Sequence, residues 1–181
     1  SAQSMRRLLK CGLLPLSERD LDGVENDLLA TGLAGFDAWS RSWKDPTPDL
    51  LGERREFSDA TAESISTAVN RTRVAIYEML QEWMAFACSG DPPTGSQWAE
   101  ALRALLVRIG ADKRMGGCVL AAKESGEFDA ADEHQQAWSE VCSLLDDVAF
   151  AFAAVSLNAT ELAQVFEAAL RPWPARMPPA P

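Results

Sequence analysis

Apolar side chains recur along this chain at steps of three and four, and the polar residues between them fall where helices begin and end. Leu21, Val24 and Leu28 form one such stripe, the spacing that lines up side chains on one face of an α-helix. Ser17-Glu18-Arg19-Asp20 precedes it with a hydroxyl for a free N–H and an acid three residues on, the arrangement of a capping box. Leu16 and Leu21 flank that cap as a hydrophobic staple, and Gly32 supplies a left-handed stop. The spacing predicts a helix over 18–31. Phe36, Trp39 and Trp43 share a shorter stripe, closed by Asp45-Pro46-Thr47-Pro48. A long helix is predicted from about 58 to 88, carrying Ile65, Val69, Ile76 and Leu80, with Trp83, Met84 and Phe86 near its end. Ser89-Gly90-Asp91-Pro92-Pro93 breaks the pattern. Trp98, Leu102, Leu105, Leu106 and Ile109 make the next helix, stopped at Gly110, and Met115-Gly116-Gly117 reads as a further interruption.

Beyond it, a helix over about 129–154 turns Trp138, Val141, Leu144, Leu145 and Val148 inward. Val148 to Leu157 is the longest apolar run and reads as a buried helical segment. Asn158-Ala159-Thr160-Glu161 repeats the capping pattern, with a staple from Leu157 to Leu162, and opens a last helix through Val165, Phe166 and Leu170. No stretch alternates with period two between turns, so no strand is predicted, and no internal repeat is visible. The expectation is an all-α fold: a single compact multi-helix domain of about six or seven helices over 1–171, then a Pro-rich linker or tail over 172–181.

Composition fits that expectation. A chain of 181 residues with 47% hydrophobic and 24% charged residues suits one folded domain, burying roughly 70% of its unfolded surface. No apolar run reaches the roughly 18 residues that a membrane helix needs, and Arg6, Arg7 and Lys10 are not followed by the apolar core of a signal peptide. Cys11, Cys88, Cys118 and Cys142 are far apart and read as free thiols in a reducing cytoplasm, not as a disulfide or metal framework. The first residue is Ser1, not Met, and the end is stiff with Pro172, Pro174, Pro178, Pro179 and Pro181. These ends read as those of a piece excised from a larger protein.

Charge is uneven. The formal net charge is −10, and between Glu124 and Leu170 ten acids stand without one Lys or Arg; the other 17 acids balance the 17 bases. Such a surface repels phosphate backbones. It is either a solvated face or a docking surface for a basic partner.

The chemistry-bearing residues point to no catalytic, cofactor or metal site. Gly90-Asp91-Pro92-Pro93-Thr94-Gly95 has glycines but no Lys, and prolines remove the amides that would cradle a phosphate. His134 is the sole histidine, which excludes multi-histidine metal sites and disfavours a Ser-His-Asp triad. Asp132, Glu133 and His134 are adjacent, so on a helix they diverge by about 100° per residue. Asp129 and Glu133, one turn apart, could share a hard cation only weakly, and Cys142 lies two turns beyond His134, too far for an activated pair. Trp39, Trp83, Trp98 and Trp138 fall on apolar stripes, which favours core packing over base stacking; Trp173, between two prolines, is free to cover a partner or the preceding helix. Arg6, Arg7 and Lys10 form a compact basic cluster, either a phosphate contact or a solvated helix face.

The order of these motifs resembles a known family. Arg7-Leu8-Leu9-Lys10-Cys11-Gly12-Leu13, then Leu14-Pro15-Leu16-Ser17, Asp20-Leu21-Asp22, Val24-Glu25-Asn26 and Leu29-Ala30-Thr31-Gly32 resemble the B subunit of the bacterial AddAB helicase–nuclease, at the start of the helical insertion in its second RecA-like domain. Lys10, Gly12, Leu13, Leu16, Ser17, Glu25, Asn26, Gly32 and Trp39 stand at matching positions, whereas Cys11 replaces a usual Thr and Leu8 an aromatic. His134-Gln135-Gln136-Ala137-Trp138 with Leu144-Leu145-Asp146, then Leu157, Glu161-Leu162, Phe166-Glu167-Ala168 and Leu170, are similar to the helices that close the insertion. Residues 44–125 match only in helical character and length. The resemblance implies a parent that resects DNA double-strand breaks for homologous recombination beside an ATP-driven A subunit. That parent would carry an iron–sulfur cluster and Mg2+ in a nuclease domain, with ATP used by the partner. None of those motifs maps onto this chain, so the implied role is a non-catalytic scaffold or a contact surface for DNA or the A subunit. The alternative is a free-standing interaction module binding a basic partner through its acidic half.

Overall fold

The computed structural model describes residues 2–31, 35–41 and 59–170, with the backbone alone for 2, 30, 31 and 59–66. Gly32, Trp43, the Asp45–Pro48 loop and the Pro-rich 172–181 stretch with Trp173 lie outside the described residues. The described residues are all-α: α1 (Ala2–Lys10), α2 (Glu18–Thr31), a 3-10 helix (Phe36–Ser40), α3 (Asp59–Ala87), α4 (Gly95–Arg108), α5 (Ala111–Glu124), α6 (Phe128–Ala151) and α7 (Ala159–Leu170). Their only extended pairing is an isolated bridge between Thr94 and Ser156.

Helix starts follow local hydrogen bonding. The backbone N–H of Asp20 donates to Ser17 Oγ at 3.2 Å, while the Ser17 hydroxyl donates to the Asp20 carboxylate at 2.6 Å. At α7 the exchange is reciprocal: Asn158 Oδ1 accepts from the N–H groups of Thr160 and Glu161, and Glu161 Oε2 accepts the N–H of Asn158 at 2.7 Å. Both staple leucines of that cap, Leu157 and Leu162, are buried.

The helices gather into two compact units, residues 1–84 with 105–114, and residues 85–104 with 115–181. In the first, Leu9, Leu14, Val24, Leu28, Trp39, Val69, Ile76, Leu80 and Ile109 are buried. Gly23 belongs to that packing, since a Cβ there would stand 3.2 Å from Val69 Cγ2. Arg73 is buried as well; its guanidinium donates to the Trp39 carbonyl and, at 3.1 Å, to Asn70 Oδ1, and burial lowers its pKa below the ordinary value. Arg114 Nη1 donates to the Leu14 carbonyl at 2.6 Å, and Arg108 pairs with Glu82. In the second unit the core comprises Trp98, Ala99, Ala122, Ala131, Leu145, Val148, Leu157 and Leu162.

Two expectations are corrected. Met115-Gly116-Gly117 does not interrupt the chain: α5 runs through it and stops at Gly126, with φ +81°. There the N–H of Glu127 donates to the Ala122 carbonyl and that of Gly126 to Lys123, the double closure that makes a glycine a helix stop. Gly116 and Gly117 lack it and face solvent, where a Cβ would meet nothing. Gly116→Ala and Gly117→Ala are each expected to stabilise the protein by about 0.5–1 kcal/mol, read as a raised urea midpoint.

The apolar run from Val148 to Leu157 is likewise not a buried helical segment. Only Val148 and Leu157 are buried; the helix ends at Ala151, and Phe150, Ala151, Ala153, Ala154 and Val155 are exposed. The chain must leave the helix there so that the carbonyls of Phe152 and Val155 can accept the N–H of Gly95 at 2.9 and 3.1 Å.

Candidate functional site: the α1–α2 recess

Amphipathic spacing builds this site from two helices. On α1, Gln3, Arg6, Arg7 and Lys10 recur at helical steps and share a face, while Leu9 is buried. Gly12 turns the chain with φ +71°, a conformation that glycine adopts without strain, and Leu14 drops into the core. On α2, Glu25 lies within the stripe Leu21, Val24, Leu28 and is 7% exposed. Its carboxylate accepts Arg6 Nε at 2.9 Å and Lys10 Nζ at 3.1 Å. The resulting shallow recess, about 360 Å³, is lined by Gln3, Arg6, Arg7, Lys10 and Glu25.

Glu25 is covered by the cations that bind it. The Arg6 hydrogen bond first, and the Lys10 one next, hold its carboxyl below the ordinary carboxylate range, against the opposing effect of burial. A carboxylate ionised at neutral pH and doubly paired is unsuited to general acid catalysis; it ties α1 to α2 and fixes two cations beside Arg7. Because the folded pKa is depressed, Glu25 contributes stability that is fully present above the ordinary value of 4.5 and is lost as pH falls through the lower folded value. The melting-temperature gap between the wild-type chain and Glu25→Gln is therefore expected to be widest near pH 7 and to narrow as pH falls below the ordinary carboxylate value of 4.5. A gap that does not narrow on acidification would contradict the pairing.

The sequence reads Arg6, Arg7 and Lys10 as either a phosphate contact or a solvated helix face and does not single out Glu25 as the partner of Arg6 and Lys10. The available signal was an acid inside an otherwise apolar helical stripe, a position that calls for a counter-charge. The other candidates are dispersed. Asp129, Asp132 and Glu133 are exposed on α6 and His134 is half-buried. Cys11, Cys88 and Cys118 are exposed and Cys142 is half-buried, all four free. Among the described residues no group of three or more His, Cys, Asp and Glu side chains could hold a metal ion. Trp39 and Trp98 are buried, and Trp83 and Trp138 half-buried. No described helix is long and apolar enough to cross a membrane.

The fold and the recess define a helical chain in which the polar cluster around Glu25 links two helices. No protein-family model matches it. Curated relatives do: the chain is 31% identical over 178 residues, 96% of its length, to the B subunit of the ATP-dependent helicase/deoxyribonuclease of Moorella thermoacetica. It is 33% identical over 91% of its length to the protein of the same name from Desulforamulus reducens, and 31% identical over 91% to that of Heliobacterium modesticaldum. It spans 13–15% of the length of these relatives. Over most of its length the chain thus matches a segment of an AddB-type protein, as the resemblance in α1 and α2 implied. The structure also gives parts of that motif a physical role: Lys10 and Glu25 pair, Gly12 makes the left-handed turn and Ser17 caps α2.

Proposed function

We propose that this chain is a non-catalytic helical segment of the B subunit of a helicase–nuclease that processes DNA double-strand breaks, serving as scaffold or as contact surface for DNA or the A subunit. The observation that carries the reading is the match to a helicase/deoxyribonuclease relative over 96% of the chain. The chemistry of the α1–α2 recess supports the non-catalytic part: the clustered ionisable groups around Glu25 are engaged in tying helices together. Charge supports placing any phosphate contact on the first unit. Residues 1–84 and 105–114 carry 13 Lys+Arg against 15 Asp+Glu, whereas residues 85–104 and 115–181 carry 4 against 12.

Two measurements test it. The purified chain, given ATP, Mg2+ and linear duplex DNA, is expected to hydrolyse no ATP and cut no DNA; turnover surviving purification to homogeneity overturns the non-catalytic role. Sequencing the source gene outward is expected to show the reading frame continuing on both sides into the rest of an AddB-type protein. A frame opening and closing at the ends of this chain would refute the parent assignment.

A further inference from the structure

The second unit breaks two local rules at one place. Phe150, on the last turn of α6, is 89% exposed, and the exposed apolar residues Ala151, Ala153, Ala154 and Val155 follow it directly. One helical turn from the same C-terminus stand Asp146 and Asp147, where the helix dipole favours cations. Arg103 pairs with Asp146; among the described residues no ion pair reaches Asp147. The end of α7 repeats the combination, with Glu167 three residues before exposed Leu170 and no base in the last turn. Apolar surface next to anions at helix C-termini is unfavourable in the free protein, and a ligand bringing apolar and cationic groups together relieves both terms.

We propose that the C-terminal end of α6, centred on Phe150 and Asp147, docks a cationic amphipathic segment of a partner protein. Charge selects this occupant. From Glu124 to Leu170 the chain holds ten acids and no Lys or Arg, so a nucleic acid is repelled, and a second copy would bring the same acids against these. An arginine or lysine side chain meets both features of the site at once, its aliphatic stem and cation on the Phe150 ring and its charge on Asp147. The inference rests on the exposed surface of this chain by itself.

The test uses the full 181-residue chain and a fluorescently labelled helical peptide of leucine and arginine, about 18 residues long so that it makes five turns, with binding read by anisotropy at about 0.15 M salt. A scrambled peptide of the same charge serves as reference. The amphipathic peptide is expected to bind, and Phe150→Ala to weaken it by about tenfold. Asp147→Asn should weaken it by about threefold. Asp132→Asn, an exposed acid nearer the other end of α6, should change it by less than about twofold. Equal binding of the scrambled peptide, or equal losses from Asp132→Asn and Asp147→Asn with none from Phe150→Ala, would reduce the effect to diffuse charge and overturn the proposal. So would absence of binding, or sedimentation showing a dimer that Phe150→Ala dissolves.

Discussion

Replacing Gly95 with alanine is expected to destabilise the second unit by about 3 kcal/mol, although alanine is the better helix former by about 1 kcal/mol. Gly95 is the first residue of α4. A Cβ there would stand 2.4 Å from Phe152 Cβ, 2.7 Å from the Phe152 carbonyl oxygen and 2.9 Å from that of Val148. Neither carbonyl can swing aside freely, because Phe152 O accepts the Gly95 N–H at 2.9 Å and Val148 O accepts the Phe152 N–H at 3.1 Å. Relief therefore requires α4 and the end of α6 to separate, breaking the hydrogen bonds that join them. Packing outweighs propensity here, so the sign of the effect is the test. Urea unfolding followed by circular dichroism should show a clear loss for Gly95→Ala, while Gly90→Ala, where a Cβ meets nothing, should move stability by less than about 0.5 kcal/mol. Equal stability of Gly95→Ala and wild type would mean that the close approach of Gly95 to Phe152 is wrong.

The same contact shows where sequence patterns stop being informative. Ser17 and Asn158 were legible as helix starts because a cap is a contract between residues two or three apart. Thr94 was equally legible in principle: its N–H donates to Gln97 Oε1 at 2.8 Å and its hydroxyl accepts the Gln97 N–H at 3.4 Å, a Thr-to-Gln capping box hidden among Gly90, Pro92, Pro93 and Gly95. Gly116 and Gly117 misled for a related reason, since a glycine ends a helix only where the following N–H groups can fold back onto it, as at Gly126. What no periodicity encodes is which distant groups meet. The stripe Leu21, Val24 and Leu28 predicts a helix but not that Glu25 beside it meets Arg6 and Lys10. The apolar run Val148–Leu157 promised burial, yet its middle is turned outward by hydrogen bonds to Gly95, far earlier in the chain. The family resemblance was legible because Lys10, Gly12, Ser17 and Glu25 serve one compact local construction, α1 turning onto α2.

Trp98 is the residue on which the second unit's packing should depend most heavily. It is 1% exposed, its ring meets Phe86 edge-on at 5.0 Å, and its Nε1–H donates to the Leu157 carbonyl at 2.7 Å in a buried setting. Leu157 returns its own N–H to the Pro93 carbonyl at 2.9 Å, so the indole anchors the segment that leads into α7. A ring enclosed in this way cannot stack on a nucleobase, which leaves packing as its role. Trp98→Ala is expected to cost about 3–5 kcal/mol, a large share of the roughly 5–15 kcal/mol that holds a domain folded. Trp98→Phe keeps a ring but leaves the buried Leu157 carbonyl without its donor, and should cost about 1–3 kcal/mol. Denaturant titrations of the three proteins, read by circular dichroism so that loss of indole fluorescence does not intrude, separate the two contributions. A phenylalanine variant within about 0.5 kcal/mol of wild type would assign the effect to volume alone. One as damaged as Trp98→Ala would assign it chiefly to the hydrogen bond. The intermediate value is expected because the indole both fills the core and satisfies a carbonyl that the start of α7 leaves facing inward.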